Sequence, residues 1–473
     1  MGFQRTFLKN TVIFGGYSSV AMIVEFISTM ILSRFLSKEE YGFVAIISIF
    51  SGFITLFANT GLSHAVIRSD YGYNYQKLVF NLSVWIGIGL TIILCLLAVP
   101  ISNLFENPLL VIPTLIISVQ FIGGSLTIVP YAILEKRLDF NYIGKLNLIL
   151  TFLVIVAMNV MAIFGLSYWS LIIPPVIRPF IQYFFLERKI KFGIHLYGWK
   201  MTKLGFKKVR SLIQSISIFN IINYFARNTD NYVIGKYYGE GELGLYNRAY
   251  KFLYLVIKLI NSNLGPVLFP SLKDAQNKGD NVNVLFLNIL GVMSVMAMLV
   301  SLPLIIFAKE ISFLLWGADW VDVANYLPYI GAIIPMQILT ISAMDLYLLI
   351  NKEKAYITLG IPLSLILVAG IVVGAFFSSY HVIRFYALAF IMVQVPVDLY
   401  FGHYRMLKFS IRQILFFWTP KILLTTGLIF SIWFLNRYIS SFIILTYIAL
   451  DFIQHGQNIS KIVKLLINKL LRR

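Results

Sequence analysis

Apolar runs separated by short polar segments recur along the whole chain. They fall at residues 11–33, 41–62, 78–100, 111–134, 142–165 and 168–187. After a longer polar stretch they resume at 212–235, 244–270, 284–308, 323–350, 355–377, 382–402 and 413–435. Each is close to the ~20 residues a helix needs to cross a bilayer. A last run, 438–453, is short and is interrupted by Asp451. The pattern predicts an all-α polytopic membrane protein of about fourteen transmembrane helices. The first run is too long for a signal-peptide core and lacks a small-residue cleavage site, so it reads as a spanning helix. The opening MGFQRT matches a myristoylation pattern, but an anchor is redundant on a chain that spans many times.

Composition agrees. The chain of 473 residues is 59% hydrophobic and 12% charged, with a mean hydropathy of +0.82. Soluble domains carry about 25% charged residues. The net charge of +19 comes from lysines and arginines in short loops between apolar runs, the distribution of the positive-inside rule rather than of a nucleic-acid-binding surface. With the N-terminus inside, 27 basic residues fall on inner segments and 7 on outer ones: Arg34, Lys38, Lys236, Arg248, Lys309, Arg384 and Arg437. This predicts cytoplasmic N- and C-termini. The lone Cys95 excludes an intrachain disulfide and a cysteine metal site, and the five histidines show no ligand spacing.

The longest polar connection is Glu187–Arg210, which carries Arg188, Lys189, Lys191, Lys200, Lys203, Lys207, Lys208 and Arg210. Its interspersed aromatic and aliphatic residues fit either an amphipathic helix on an anionic leaflet or a cytosolic loop. The organisation that follows is an N-terminal six-helix bundle (1–187), a basic cytoplasmic linker (188–210) and a C-terminal six-helix bundle (211–402). Helices thirteen and fourteen (403–455) and a basic amphipathic cytoplasmic tail (456–473) complete it.

Charges inside apolar runs single out the candidate site, since each costs about 2.5–3.5 kcal/mol at a bilayer centre. In NIINYFARNTDNYVIGKYYGEGELGLYNRAYKFLYLVIKLIN, from Asn220 to Asn261, two apolar helices flank a glycine-rich turn. At helical spacing Asn220, Asn223, Arg227, Asp230 and Asn231 share one stripe, and Arg248, Lys251 and Lys258 share another. Two such stripes can face a common watery cavity. The same spacing also permits a local Arg227–Asp230 ion pair, with Arg248 and Lys251 snorkelling to the surface. Glu25, midway along the first run, is a further candidate.

The chain also repeats. SRFLSKEEYGFVAI from Ser33 aligns with GKYYGEGELGLYNRA from Gly235 at a shift of 202 residues. Arg34 then meets Lys236, Glu40 meets Glu242, Gly42 meets Gly244 and Glu25 meets Arg227. Two bundles related by an axis along the membrane normal fit this, with a site between them at the midplane. In that arrangement Glu25 and Arg227 would attract one another across an empty cavity.

LSRFLSKEEYGFVAIISIF and RNTDNYVIGKYYGEGELGLYNRAY resemble the bacterial polysaccharide flippases, the Wzx-type O-antigen and exopolysaccharide exporters of the multidrug/oligosaccharidyl-lipid/polysaccharide (MOP) superfamily. The resemblance implies two six-helix bundles with a pseudo-two-fold and two extra C-terminal helices, alternating access, and the bacterial inner membrane. It implies a non-enzymatic transporter that moves an undecaprenyl-diphosphate-linked oligosaccharide from the cytoplasmic to the periplasmic leaflet. Partners would be that substrate, membrane lipids and a polysaccharide polymerase or other assembly proteins. Carried over by position, Arg227, Arg248, Lys251 and Lys258 would line a cationic cavity, with Asn223 among the neutral partners for sugar. Glu25 and Asp230 depart from a purely cationic cavity and leave proton or sodium coupling open; no cofactor is expected. A drug/cation antiporter of the same superfamily would call for an acidic cavity. A membrane polymerase or glycosyltransferase would need convergent carboxylates on a large outer loop, whereas the outer acids here are scattered over short ones.

Overall fold

The structure, a computed structural model, describes residues 2–58, 61–68, 72–198, 202–203, 206, 218–434, 438–450 and 453. Among them there are helices and no strand. Lipid offers no partner for a backbone N–H or C=O, so each crossing must close its own hydrogen bonds. The expected tail, 456–473, lies outside the described residues.

Among the described residues, eleven helices are long and apolar enough to cross a membrane. They coincide with the predicted runs except at two places. One is Tyr438–Leu450, which is apolar but shorter. The other is Ile218–Lys278, a helical element of 61 residues. It would be about 90 Å long if straight, far more than one crossing requires. Gly239, at φ 85° and ψ 177°, breaks it where the glycine-rich turn was expected. Its two parts carry the charged stripes.

Contacts divide the chain into two compact units, Met1–Gly244 and Leu245–Arg473. In the N-terminal unit the elements are α1 (Gly2–Leu32), α2 (Lys38–Ala58), α3 (Leu62–Arg68), α4 (Tyr73–Leu104), α5 (Val111–Ser118), α6 (Gln120–Lys136), α7 (Phe140–Ile163) and α8 (Trp169–Ile190). α1 packs on α7, α4 on α6, and α6 and α7 on α8. Ser37 and Glu40 start α2 as a capping box: the Ser37 N–H donates to Glu40 at 2.7 Å and the Glu40 N–H to the Ser37 hydroxyl at 3.3 Å. The first part of α9 (Ile218–Lys278) belongs to this unit because it packs on α2. The Tyr224 hydroxyl donates to the Ile49 carbonyl, and the Phe53 ring lies 5.8 Å from Tyr224 and 5.0 Å from Phe225.

The basic connection is described in part: Thr202, Lys203 and Phe206 are helical, and the stretch before them is not. Residues 191–198 have no regular structure and lie along α4. Fully buried Asn81 accepts the Tyr197 N–H at 2.7 Å and donates to the Thr202 hydroxyl at 2.9 Å. The Tyr73 hydroxyl donates to the Phe192 carbonyl at 2.8 Å, and the Trp85 indole to the Tyr197 carbonyl at 3.3 Å. A chain without its own ladder must find such partners when it is buried.

In the C-terminal unit, α10 (Val282–Ile306) packs on α12 (Leu327–Ile341), with α11 (Ala308–Trp316) between them in sequence. After α13 (Ala343–Leu349), α14 (Glu353–Ala375) packs on α15 (Ser379–Leu388). The helix that α15 begins is π-helical over Ala389–Gln394 and Leu399–Met406, either side of the short α16 (Val395–Asp398). The remaining elements are α17 (Ile411–Trp433) and α18 (Tyr438–Leu450).

Candidate functional site

In the N-terminal unit Glu25 and Arg227 are exposed, Asn223 is half-buried, and Asp230 is 2% exposed. The Asp230 carboxylate accepts the Asn231 N–H at 2.8 Å. No salt bridge joins Glu25 to Arg227 among the described residues. The cation within electrostatic reach of Glu25 is Arg178 on α8.

Arg178 heads a polar ladder that the sequence reading did not single out. Its guanidinium donates to the Thr151 hydroxyl on α7 at 3.3 Å. One turn along α8, the Gln182 amide donates to the Asn147 carbonyl oxygen at 3.4 Å, and Asn147 donates to the Tyr131 hydroxyl at 3.2 Å. Further along α7, Asn159 donates to the Ser28 hydroxyl on α1 at 2.8 Å. Thr151 and Asn147 lie four apart on α7, as Arg178 and Gln182 do on α8, so one face of each helix supplies the ladder. An arginine inside the 168–187 apolar run, between Pro175 and Pro179, was the available signal. The arrangement offers a guanidinium for an anion and neutral amides and hydroxyls for sugar-like groups.

In the C-terminal unit Lys251 and Lys258 are exposed, Lys258 lying 5.8 Å over the Tyr254 ring. Arg248 neither snorkels nor stays open: it is 3% exposed, its guanidinium 4.5 Å over Trp320 and 5.9 Å over Trp316. Stacking on indole faces suits a delocalised cation withdrawn from water. Two other cations are enclosed by aromatics. Arg384 lies 5.0 Å over Trp433 and 5.3 Å over Tyr329. Lys421, 3% exposed, lies 4.3 Å over Phe417. Among the described residues no group of three or more His, Cys, Asp or Glu could hold a metal ion.

Residues 31–325 match the family described as "Polysaccharide biosynthesis protein", a stretch that takes in both repeat motifs and all of α9. The chain belongs to this family. It is 21% identical over 445 residues to the lipopolysaccharide biosynthesis protein WzxC of Escherichia coli (strain K12), covering 88% of this chain and 85% of that one. It is 24% identical over 307 residues to the succinoglycan biosynthesis transport protein ExoT of Rhizobium meliloti (strain 1021), covering 63% and 60%. An uncharacterized membrane protein in the cps region of Klebsiella pneumoniae is 23% identical over 325 residues, and the chain spans 64% of its length. Among solved structures, the lipid II flippase MurJ in an inward closed conformation superposes with a TM-score of 0.72 at 16% identity, covering 95% of this chain and all of that one. An inward-facing multidrug resistance MATE transporter of the MOP superfamily gives 0.59 at 14% identity, over 80% and 93%. At these identities the superpositions establish the fold alone. Family and helices together make the chain a polytopic membrane protein of polysaccharide biosynthesis.

Proposed function

We propose that this protein is a flippase that carries an undecaprenyl-diphosphate-linked oligosaccharide from the cytoplasmic to the periplasmic leaflet of the bacterial inner membrane. It works by alternating access, with both termini cytoplasmic, and hands its product to a polysaccharide polymerase. The observation that carries this reading is the family match, which covers all of α9, the element that bears both charged stripes. A diphosphate is a strong anion, and guanidinium and ammonium groups in a low-dielectric site recognise it. Arg227, Lys251 and Lys258 keep their cations accessible for the head group. Arg178 adds a further cation, and Asn147, Gln182 and Tyr131 add neutral partners for sugar. Arg248 would enter the site only by leaving its two indoles. The excess of basic over acidic candidates disfavours a drug/cation antiporter.

The test is genetic and chemical together. Arg227→Ala and Lys258→Ala should each abolish surface polysaccharide and cause the lipid-linked intermediate to accumulate, with unchanged protein in the membrane. Lys258→Arg should retain more export than Lys258→Ala. Normal export by both alanine variants would refute the assignment.

A further inference from the structure

His403 has no solvent-accessible surface, and among the described residues its ring nitrogens make no well-formed hydrogen bond, the Asp398 backbone and carboxylate being the acceptors within reach. Desolvating an imidazole without well-formed hydrogen bonds is costly, so a group left this way invites a use. Asp398, 8% exposed, stands five residues before it, and its Oδ2 lies 3.6 Å from His403 Nδ1. That is too long for a hydrogen bond and short enough to become one with a small movement. The two residues are brought onto one face by the π-helical stretch Leu399–Met406, whose wider turn pairs positions five apart.

Residues of three other helices surround the pair. From α13 the Tyr347 hydroxyl packs, with Asp398 Oδ1, against Gly402, and it also reaches the Met406 sulfur at 4.0 Å. Behind it, Tyr356 of α14 lies 5.2 Å from the Tyr347 ring. From α17 the Trp418 ring lies 5.4 Å from His403, and buried Lys421 follows one turn later over Phe417 and Tyr447. Among the described residues, Asp398 and His403 are the charged groups that act on one another. On the remaining side the Phe409 ring lies 5.4 Å from His403. Phe409 also lines a pocket of about 440 Å³ with Tyr404, Arg405 and Lys408. A single aromatic ring thus separates the buried imidazole from an open basic pocket.

We propose that Asp398 and His403 form a proton-binding dyad. A proton entering past Phe409 binds the neutral imidazole at Nδ1. The imidazolium and the Asp398 carboxylate then close to a charge-assisted hydrogen bond, and release of the proton restores the two separated groups. Closing the gap alters the winding of the π-helical segment, so the protonation state selects between two arrangements of this helix. The link to transport rests on the flippase reading above; the proton site itself does not.

The experiment uses the full-length protein in nanodiscs with 15N-labelled histidine, the His403 resonance being identified by its loss in His403→Gln. In the wild type it should titrate within the pH range over which the fold stays intact, and its midpoint should fall by about one unit or more in Asp398→Asn, a tenfold change in proton affinity. An invariant His403 resonance across that range, or a midpoint unmoved in Asp398→Asn, overturns the dyad. The wild-type titration alone decides the first point if a variant misfolds. Export is read in parallel beside Arg227→Ala. Asp398→Asn and His403→Gln should each lower it at least tenfold. Normal export in both, with Arg227→Ala inactive, overturns the coupling alone. Normal export in all three overturns the flippase assignment and leaves the titration to judge the proton site.

Discussion

Gly42 and Gly244 meet at the centre of a reciprocal contact. A Cβ at Gly42 would run into the Glu240 carbonyl, and one at Gly244 into the Lys38 carbonyl and to within 3.2 Å of the Gly42 nitrogen. Glu39 lies beside Gly241, a Cβ there falling 3.1 Å from the Glu39 carboxylate. These are the pairings that the sequence shift of 202 relates to one another: Gly42 with Gly244, Lys38 with Glu240, and Glu39 with Gly241. Two copies of one motif facing each other across a local two-fold make this kind of self-complementary contact. The repeat is thus a packing relationship within the N-terminal unit as well as a similarity of letters.

Gly42→Ala and Gly244→Ala should each destabilise the protein by about 1–3 kcal/mol, because the added methyl meets backbone that cannot rotate away. Gly89→Ala, with open space around it, should stay within about 0.5 kcal/mol of the wild type. Thermal unfolding of the purified variants in detergent checks this. Equal melting points for all three would remove the contact from the account.

Glu25 should couple to Arg178 rather than to Arg227. In a double-mutant cycle with Glu25→Gln and Arg178→Gln, the interaction term should lie between about 0.5 and 3 kcal/mol. The cycle of Glu25→Gln with Arg227→Gln should be additive. Export rates and melting temperatures of the single and double variants give both terms. Additivity in the first cycle would dissolve the pair.

Asn81→Ala should release the connecting segment from α4, since it removes two hydrogen bonds at a fully buried site. The expected loss is about 1–3 kcal/mol of local stability. Limited trypsin digestion should cut after Lys203 several-fold faster than in the wild type, with the helices otherwise intact. An unchanged cleavage rate would mean that the aromatic contacts hold the segment alone.

Burial, more than the opposing hydrogen bond from Asn107, pushes the Glu240 carboxyl up from its ordinary range, and Glu39 adds repulsion. A carboxyl whose pKa is raised on folding stabilises the native state fully below its unfolded value. That contribution is lost as pH rises through the folded value. Glu240→Gln can still accept from Asn107 and carries no charge. Its melting point should therefore equal the wild type's near pH 4 and exceed it at pH 8. The opposite trend would contradict the burial.

Topology is tested in a Cys95→Ala background with a membrane-impermeant thiol reagent applied from outside. Both Lys191 and Lys309 are exposed. Lys309→Cys should label and Lys191→Cys should be protected. Labelling of both from the same side would break the alternation of loops on which the orientation rests.

The sequence by itself determined the helices. A segment in lipid must satisfy its backbone within its own turns, so length and hydropathy are local facts, and the apolar runs match the helices observed. It also determined the break at Gly239, because a glycine-rich turn is a local property too, and it exposed the repeat. It pointed to α9 as the charged element for the same reason: a charge in an apolar run is visible without a partner. Tertiary structure decided what each charge touches. Arg178 meets Thr151, Arg248 meets Trp320, His403 meets a π-helical turn and Asn81 meets the connecting segment. Those partners come from other helices or, for His403, from a local winding that hydropathy does not encode. Side chains far apart in sequence become neighbours only once helices pack, and no local periodicity carries that information.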